Sequence, residues 1–288
     1  MKILKLAVSA AVIAMSACFA LTGAQADQPA AKLDAALKSA VEGSWRTPAN
    51  VERDKWRKPV EALTFWGLKP GMTILELSPG GGWWTEVLAP YARATKGRYV
   101  TTGADLGNPE VTQAARALRT AFETKFSDRA IYGEIEVVNF GAKSSGLGAP
   151  GSVDFVLNGR NIHNWMANDM LDKVMAESFA VLKPGGILAI EEHRNAAGMT
   201  QDPKAPTGYV TEAYVIAAAE RAGFKLDARS DLYANPKDDR DHPFGVWTLA
   251  PTKRTAPQGQ PADPTFDRAP YDAIGESDRM ILRFVKPR

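Results

Sequence analysis

Short apolar runs alternate with stretches of helical periodicity along most of the chain. Seven runs have the length and apolar content of strands, at residues 72–77, 98–102, 135–138, 153–157, 187–191, 224–228 and 280–285. Apolar residues recur every three or four positions in four longer stretches, which predict helices at residues 83–94, 109–126, 168–182 and 211–222. This alternation predicts an α/β fold, with a mostly parallel sheet that is covered by helices on both faces.

Two segments depart from this alternation. Residues 31–41 and 51–63 show helical spacing before the first strand, and we interpret residues 27–70 as an N-terminal helical lid on a main domain of residues 71–288. Residues 251–270 are rich in Pro, Gln and Gly, which predicts a long loop before the last strand.

Asn108 is the candidate N-cap of the helix predicted at residues 109–126.

The first 26 residues have the pattern of a secretory signal peptide. Lys2 and Lys5 precede an apolar run at residues 6–21, and a small-residue site ends at Ala26. The run is shorter than the roughly 20 residues that span a bilayer. We therefore expect cleavage after Ala26, a periplasmic or secreted protein, and no stable membrane insertion after cleavage. An uncleaved anchor and lipidation at Cys18 are the alternatives.

Composition narrows the chemistry of the mature protein. Cys18 is the only cysteine and lies in the leader, so cleavage removes the thiol and excludes disulfides and cysteine nucleophiles. The chain has 35 Lys and Arg against 33 Asp and Glu, and loss of Lys2 and Lys5 makes these numbers equal. A neutral mature chain does not favour a nucleic-acid surface, so we expect a small-molecule partner. The sequence leaves the oligomeric state open.

A glycine turn follows the first predicted strand. Glu76 ends the strand, Gly80, Gly81 and Gly82 form the turn, and a predicted helix follows. Glycines let the backbone approach a ligand closely, and the free amides at the start of the helix attract an anion. Thr85 occupies the third glycine position of a dinucleotide fingerprint, which argues against a nicotinamide oxidoreductase.

The sequence around this turn resembles a known family. Residues 50–91, together with the stretches VLNGRNIHNW, VLKPGGILAIEEHRNAAG and RMILRFVKP, are similar to a bacterial family of exported, predicted S-adenosylmethionine-dependent methyltransferases of class I. The resemblance covers nearly all of the mature chain. It implies a Rossmann-like methyltransferase fold, S-adenosylmethionine as cofactor, and methyl transfer to an acceptor that the resemblance does not identify.

The resemblance also implies a set of cofactor-binding residues. Glu76, Gly80, Gly81 and Gly82 would surround the amino-acid end of the cofactor, with Ser78 at a position where many relatives have glycine. Asp105 is the best match to the acidic residue that holds the ribose, with a plain loop aspartate as the alternative. Asn139 and Phe140 would lie beside adenine, although core packing is the favoured role for Phe140. The remaining expected contact is Asn158, at the end of the fourth strand.

Two neighbouring strand ends carry the candidate catalytic residues. The fourth strand runs into a polar loop with His163, and the fifth ends in Glu191, Glu192 and His193. In the usual strand order these ends are adjacent, which would bring the two histidines close to a carboxylate. His163, His193 and Glu192 could then form an acid–base group, hold a divalent metal ion, or simply cap the sheet edge with hydrogen bonds. No HxH or HxxxH spacing strengthens the metal alternative.

The leading hypothesis is methyl transfer from S-adenosylmethionine to a small molecule, with His163 or His193 as base. A binding protein for a small ligand, and a metal-assisted hydrolase or isomerase at His163, Glu192 and His193, are the alternatives that an exported location keeps open. The segment RDKWR at residues 53–57 would be either a lid over the cofactor or an ion-paired structural helix.

Overall fold

The computed structural model describes residues 35–288. Its strands are β1 (Thr73–Leu77), β2 (Arg98–Ala104), β3 (Ile135–Phe140), β4 (Val153–Gly159), β5 (Leu182–His193), β6 (Lys225–Ser230), β7 (Pro243–Val246) and β8 (Arg279–Val285). Seven of these strands, all except β7, form one sheet in the order β3-β2-β1-β4-β5-β8-β6. The α/β fold with a mostly parallel sheet is therefore confirmed.

The sheet reverses its direction of growth beside β1. The first strand pairs in parallel with β2 on one side and β4 on the other, so the connection after β3 crosses back over the sheet. The fifth strand continues in parallel from β4, whereas β8 inserts antiparallel between β5 and β6. Ligands of open α/β sheets bind at the carboxyl ends of the strands next to such a reversal. In this sheet that position is the edge where β1, β4 and β5 end.

Helices cover both faces of the sheet. They are α1 (Ala35–Val41), α2 (Pro48–Val51), α3 (Asp54–Arg57), α4 (Pro59–Trp66), α5 (Thr85–Ala94), α6 (Gln113–Lys125), α7 (Arg129–Tyr132), α8 (Ile162–Ala167), α9 (Leu171–Val181), α10 (Glu212–Arg221) and α11 (Ala269–Ile274). One apolar cluster joins α8, α9 and α10 to the sheet, and a second joins α1, α4 and α5 to the opposite face. Among residues 35–288, no helix is long and apolar enough to cross a membrane.

The structure corrects the predicted helices before β1 and after β2. The helix expected at residues 51–63 is divided into α2, α3 and α4, and Lys58, with φ of 32°, separates α3 from α4. Pro59 causes this break, since the residue before a proline is disfavoured in the helical region. The helix expected at residues 109–126 begins at Gln113, because Thr112 caps it by accepting a hydrogen bond from the Ala115 amide at 3.1 Å. Asn108 instead accepts a turn hydrogen bond from the Glu110 amide.

The loop predicted at residues 251–270 leads into α11 and is held by aromatic contacts. The Phe266 ring stacks on Tyr271 and also contacts Phe244, which lies in β7. The segment therefore packs back on residues 238–250. Signal-peptide cleavage after Ala26 and the start of the helix predicted at residues 31–41 lie outside the described residues.

Candidate functional site

The loop after β1 turns sharply at the carboxyl edge of the sheet. Ser78, Gly80 and Gly82 have φ values of 48°, 56° and 81°, which lie in the left-handed region that favours glycine. Ser78 adopts this conformation with a side chain, and its amide donates a hydrogen bond to Thr102 Oγ1 of β2 at 2.8 Å. The loop is thus fixed to the neighbouring strand through its backbone.

The three glycines of this loop have different surroundings. A Cβ atom added at Gly80 or Gly81 would meet no atom within 4 Å, so the outer surface of the loop is open to a ligand. A Cβ atom at Gly82 would lie 2.2 Å from the Phe126 ring. Packing therefore requires the third glycine, whereas the first two leave room for a bound group.

Glu76 lies beneath the loop rather than on its open side. Its carboxylate is buried and accepts hydrogen bonds from the Tyr99 hydroxyl and from Thr85 Oγ1, the latter at 3.0 Å. Burial raises the pKa of Glu76 to about 7, and the two hydrogen bonds only partly oppose this. The side chain connects the start of α5 to β2 and supports the glycine turn from below.

The other predicted cofactor residues are dispersed along the same edge. Asp105 follows β2 and accepts a turn hydrogen bond from the Gly107 amide at 3.1 Å, with its Cβ next to Gly141 after β3. Asn158 is fully buried at the end of β4, and neither its amide oxygen nor its amide nitrogen has a hydrogen-bond partner within residues 35–288. Buried polar groups are normally paired, so this amide is a candidate ligand contact.

Asn139 and Phe140 do not join this group. The Asn139 side chain is exposed and accepts a hydrogen bond from the Arg119 guanidinium of α6. The Phe140 ring is buried and lies edge-on to Trp165, with ring centroids 5.8 Å apart. The structure therefore gives Phe140 a packing role in the core and leaves Asn139 bonded to a helix.

His163, Glu192 and His193 come together at the ends of β4 and β5, as predicted. All three are buried, and the two imidazole centroids are 5.3 Å apart. Glu192 Oε1 accepts hydrogen bonds from the His193 amide at 2.7 Å and lies 2.9 Å from His163 Nδ1, while Oε2 accepts from the His163 amide at 3.1 Å. The carboxylate thus fixes both the backbone and the ring of His163.

The second imidazole has a different environment. His193 Nδ1 lies 2.5 Å from Ser277 Oγ, in the segment before β8. The pKa of His193 is well below its usual range, chiefly because the ring is buried and also because His163, Arg160 and Arg279 add positive charge nearby. His193 is therefore neutral near pH 7. In the described part of the chain, Nε2 of neither histidine makes a hydrogen bond.

The distances and hydrogen bonds of His163, Glu192 and His193 test whether these residues could hold a metal ion. One ligand atom from each of His163, Glu192 and His193 lies within 4.8 Å of the others, which is close enough to share a divalent ion. However, both Glu192 oxygens already accept N–H hydrogen bonds, and three arginines oppose a cation at His193. The arrangement therefore fits a carboxylate that orients an imidazole better than it fits a metal ligand set.

A buried network of charges adjoins this group, and sequence analysis did not predict it. Arg57 of α3 forms a two-pronged ion pair with Glu276 at 2.9 to 3.0 Å. Arg279 of β8 binds Glu191 at 2.6 Å and Glu276 at 2.9 Å. The segment RDKWR is thus ion-paired to the far end of the chain. The acidic and basic residues at 276–279 were the available signal, but nothing in the sequence indicates their partners.

Comparisons with known proteins agree with this architecture. Residues 75–190, which are less than half of the chain, match the family model described as a methyltransferase domain. No curated protein sequence matches the chain.

Solved structures resemble the chain at low identity. The cyclase SpnF is 20% identical, with a TM-score of 0.52, over 87% of this chain and 92% of its own. An S-adenosylmethionine-dependent methyltransferase from Aquifex aeolicus is 21% identical, with a TM-score of 0.48, over 69% of this chain and 93% of its own. A second such methyltransferase, from Mesorhizobium loti, is 14% identical, with a TM-score of 0.42, over 85% of this chain and 99% of its own. The family match covers residues 75–190, where a methyltransferase domain is expected, and the likeness to SpnF shows a shared fold.

Glu76 makes stability depend on pH. Its pKa is about 7 in the folded protein and 4.5 when unperturbed, so the folded state binds more protons between these values. The contribution of Glu76 to the free energy of unfolding is then largest below pH 4.5 and is lost as the pH rises through 7. Glu76→Gln removes this titration, and we expect its free energy of unfolding relative to the parent protein to rise by on the order of 3 kcal/mol between pH 4.5 and pH 8. Urea denaturation at both pH values measures it.

Glu136→Gln is the matched control, because Glu136 is exposed and pairs only with Arg98 at the surface. It should leave the pH dependence unchanged. An unaltered pH slope for Glu76→Gln would contradict the assigned pKa.

Substitutions at two glycines of this loop should distinguish a role in ligand binding from a role in packing. Gly81→Val adds a side chain in open space at an ordinary φ, so we expect an unchanged melting temperature and loss of S-adenosylhomocysteine binding in calorimetry. Gly82→Ala places a Cβ against Phe126 at a left-handed φ and should lower the free energy of unfolding by about 1–3 kcal/mol. Normal ligand affinity in folded Gly81→Val would remove the loop from the binding site.

Proposed function

We propose that this chain, which contains a class I methyltransferase domain at residues 75–190, transfers the methyl group of S-adenosylmethionine to a small-molecule acceptor. The fold supports this proposal but does not carry it alone, since one fold can serve many reactions and the similar structure SpnF is a cyclase. The observation that carries it is the His163–Glu192 pair, which lies at the carboxyl edge where β4 and β5 end. We also propose, from the leader sequence, that the protein acts outside the cytoplasm.

The chain's own residues fit the cofactor at three places. The surface at Gly80 and Gly81 is open to close approach, Asp105 offers a carboxylate after β2, and Asn158 has an unpaired amide after β4. The open glycine surface is suited to the amino-acid end of the cofactor and the Asp105 carboxylate to the ribose hydroxyls. The Asn158 amide is suited to a polar group between them. When bound, S-adenosylmethionine supplies an electrophilic methyl group on a positively charged sulfur.

His163 is the proposed general base. Its Nδ1–H donates to Glu192, which leaves the lone pair on Nε2 to accept a proton from the hydroxyl or amine of the acceptor. Glu192 also stabilises the imidazolium that results, because its carboxylate is buried and close to the ring. A third group, the Trp247 ring, lies 5.8 Å from the His163 ring and restricts its rotation.

The protein's contribution beyond this proton transfer is positioning. His163 and His193 expose less than a tenth of their surfaces, so a substrate at Nε2 would be largely shielded from water. Holding two reactants in a fixed geometry lowers the barrier by removing translational and rotational freedom before the reaction. A rigid edge with fixed histidines is suited to this role.

The first test is calorimetric titration of S-adenosylmethionine and S-adenosylhomocysteine into protein that starts at Asp27, with metal content measured on the same sample. We expect micromolar binding. No binding of either compound would contradict the proposed function. Binding justifies a search for the acceptor, in which low-molecular-mass compounds are incubated with the protein and methyl-labelled S-adenosylmethionine.

The second test concerns the base. His163→Ala should lower labelled-methyl incorporation by about 10²-fold or more, with S-adenosylhomocysteine affinity unchanged, because the base acts on the acceptor. Glu192→Gln should also lower it, since a neutral amide stabilises the imidazolium less. Asn164→Ala, an exposed change on the same helix, is the control and should retain full activity. Normal turnover in His163→Ala would remove this residue from the mechanism.

A further inference from the structure

The buried charges beside the proposed base do not balance. We define the arginine cluster as Arg57, Arg160 and Arg279 with the carboxylates of Glu191 and Glu276. Arg57 donates from Nε and Nη2 to the carboxylate of Glu276, and Arg279 divides its ion pairs between Glu276 and Glu191. Three guanidinium groups thus face two carboxylates. Glu192, on the other face of β5, accepts its hydrogen bonds from His163 and His193.

Arg160 is the most weakly paired cation of the cluster. Its guanidinium makes no hydrogen bond within residues 35–288, and its ion pair with Glu191 is long, at 3.5 Å, compared with 2.6 Å for Arg279 and the same carboxylate. The side chain is 24% exposed, so it can be reached by a ligand. An arginine offers five N–H donors in a planar fork that matches a carboxylate.

The backbone fixes where this fork lies. Arg160 has a φ of 56° directly after β4, and its amide donates to the Glu191 carbonyl at 2.7 Å. A left-handed arginine is unusual, and this conformation lets the chain turn from β4 into α8, which carries His163. The positive charge of Arg160 contributes to the low pKa of His193 and of Glu276.

Arg53, which precedes α3, is not a member of the arginine cluster. Arg53 is half-buried, and its side chain bonds only to Asn50 among the described residues. Burial and the charge of Arg57 lower its pKa, while Glu276 opposes this effect.

We propose that the methyl acceptor is a small carboxylic acid, whose carboxylate binds the Arg160 guanidinium while its hydroxyl or amine faces His163 Nε2. This inference rests on the proposed function. The arginine cluster has one positive charge more than its two carboxylates balance, which fits a monoanion, and Arg160 lies in the turn that leads from β4 into α8, the helix that carries His163. The carboxylate of S-adenosylmethionine itself has the same chemistry, and the experiment must separate the two sources.

The experiment is a titration of sodium acetate into the protein, with and without saturating S-adenosylhomocysteine. The melting temperature is measured at each acetate concentration, at constant ionic strength. Acetate should stabilise the complex saturably, and sodium chloride should not. Arg160→Gln should weaken the acetate response by about tenfold or more, and Arg160→Lys should restore only part of it, because lysine keeps the charge without the planar fork. Arg98→Gln, at an exposed surface pair, is the control and should behave as the parent protein.

Two results would overturn the proposal. The first is the absence of a saturable acetate response in parent protein with S-adenosylhomocysteine bound. The second is competition between acetate and S-adenosylhomocysteine for binding. In that case Arg160→Gln would weaken the binding of S-adenosylhomocysteine but not that of 5′-methylthioadenosine, which lacks the amino-acid group. That pattern would assign Arg160 to the carboxylate of the cofactor.

Failure of the proposed function gives a different pattern. If S-adenosylhomocysteine does not bind, methyl transfer is contradicted, and so is a methyl acceptor at Arg160. An Arg160-dependent acetate response of the free protein would then still support an anion site. Melting temperatures of the unliganded variants show whether each one is folded, so a loss of response can be assigned to the missing guanidinium.

Discussion

Strand β5 ends in two consecutive buried carboxylates, and the rest of the site is arranged around their charges. Successive side chains of a strand point to opposite faces of the sheet, so Glu191 and Glu192 must be neutralised separately. Glu191 accepts an ion pair from Arg279 at 2.6 Å and a long hydrogen bond from the Trp84 indole at 3.4 Å. Glu192 is satisfied by two backbone amides and the His163 ring. An unpaired carboxylate at either position would cost several kcal/mol.

The ion pairs that neutralise Glu191 bring distant parts of the chain together at this edge of the sheet. Arg279 begins β8 and also binds Glu276, which in turn binds Arg57 of α3. The Arg57 guanidinium lies over the Trp83 ring, 5.0 Å from its centroid, at the start of the helix that follows the glycine loop. Helix α3, the start of the helix after the glycine loop, and the last strand are therefore coupled through one buried network. Because such a network is costly when partly satisfied, the edge is expected to be rigid.

The sequence predicts the fold and the meeting of His163 with Glu192 and His193 because both depend on local rules. Strand and helix periodicity determine the parallel sheet, and parallel neighbours place their ends side by side. The arginine cluster does not follow from such rules. Arg57 and Glu276 are separated by 219 residues, and their pairing depends on tertiary packing that periodicity does not encode. The same applies to Asn139, since its bond to Arg119 depends on where α6 lies over the sheet.

The arginine cluster and the histidines are linked through their charges. Positive charge from Arg160 and Arg279 lowers the pKa of His193, and the same potential attracts an anion to this edge. An anionic ligand on Arg160 would compensate that charge, and the pKa of His193 would rise as a result. Ligand binding and proton uptake are therefore thermodynamically coupled in this arrangement. His193, whose ring centroid lies 5.3 Å from that of the proposed base, therefore binds a proton more readily when an acidic substrate is bound than when the site is empty.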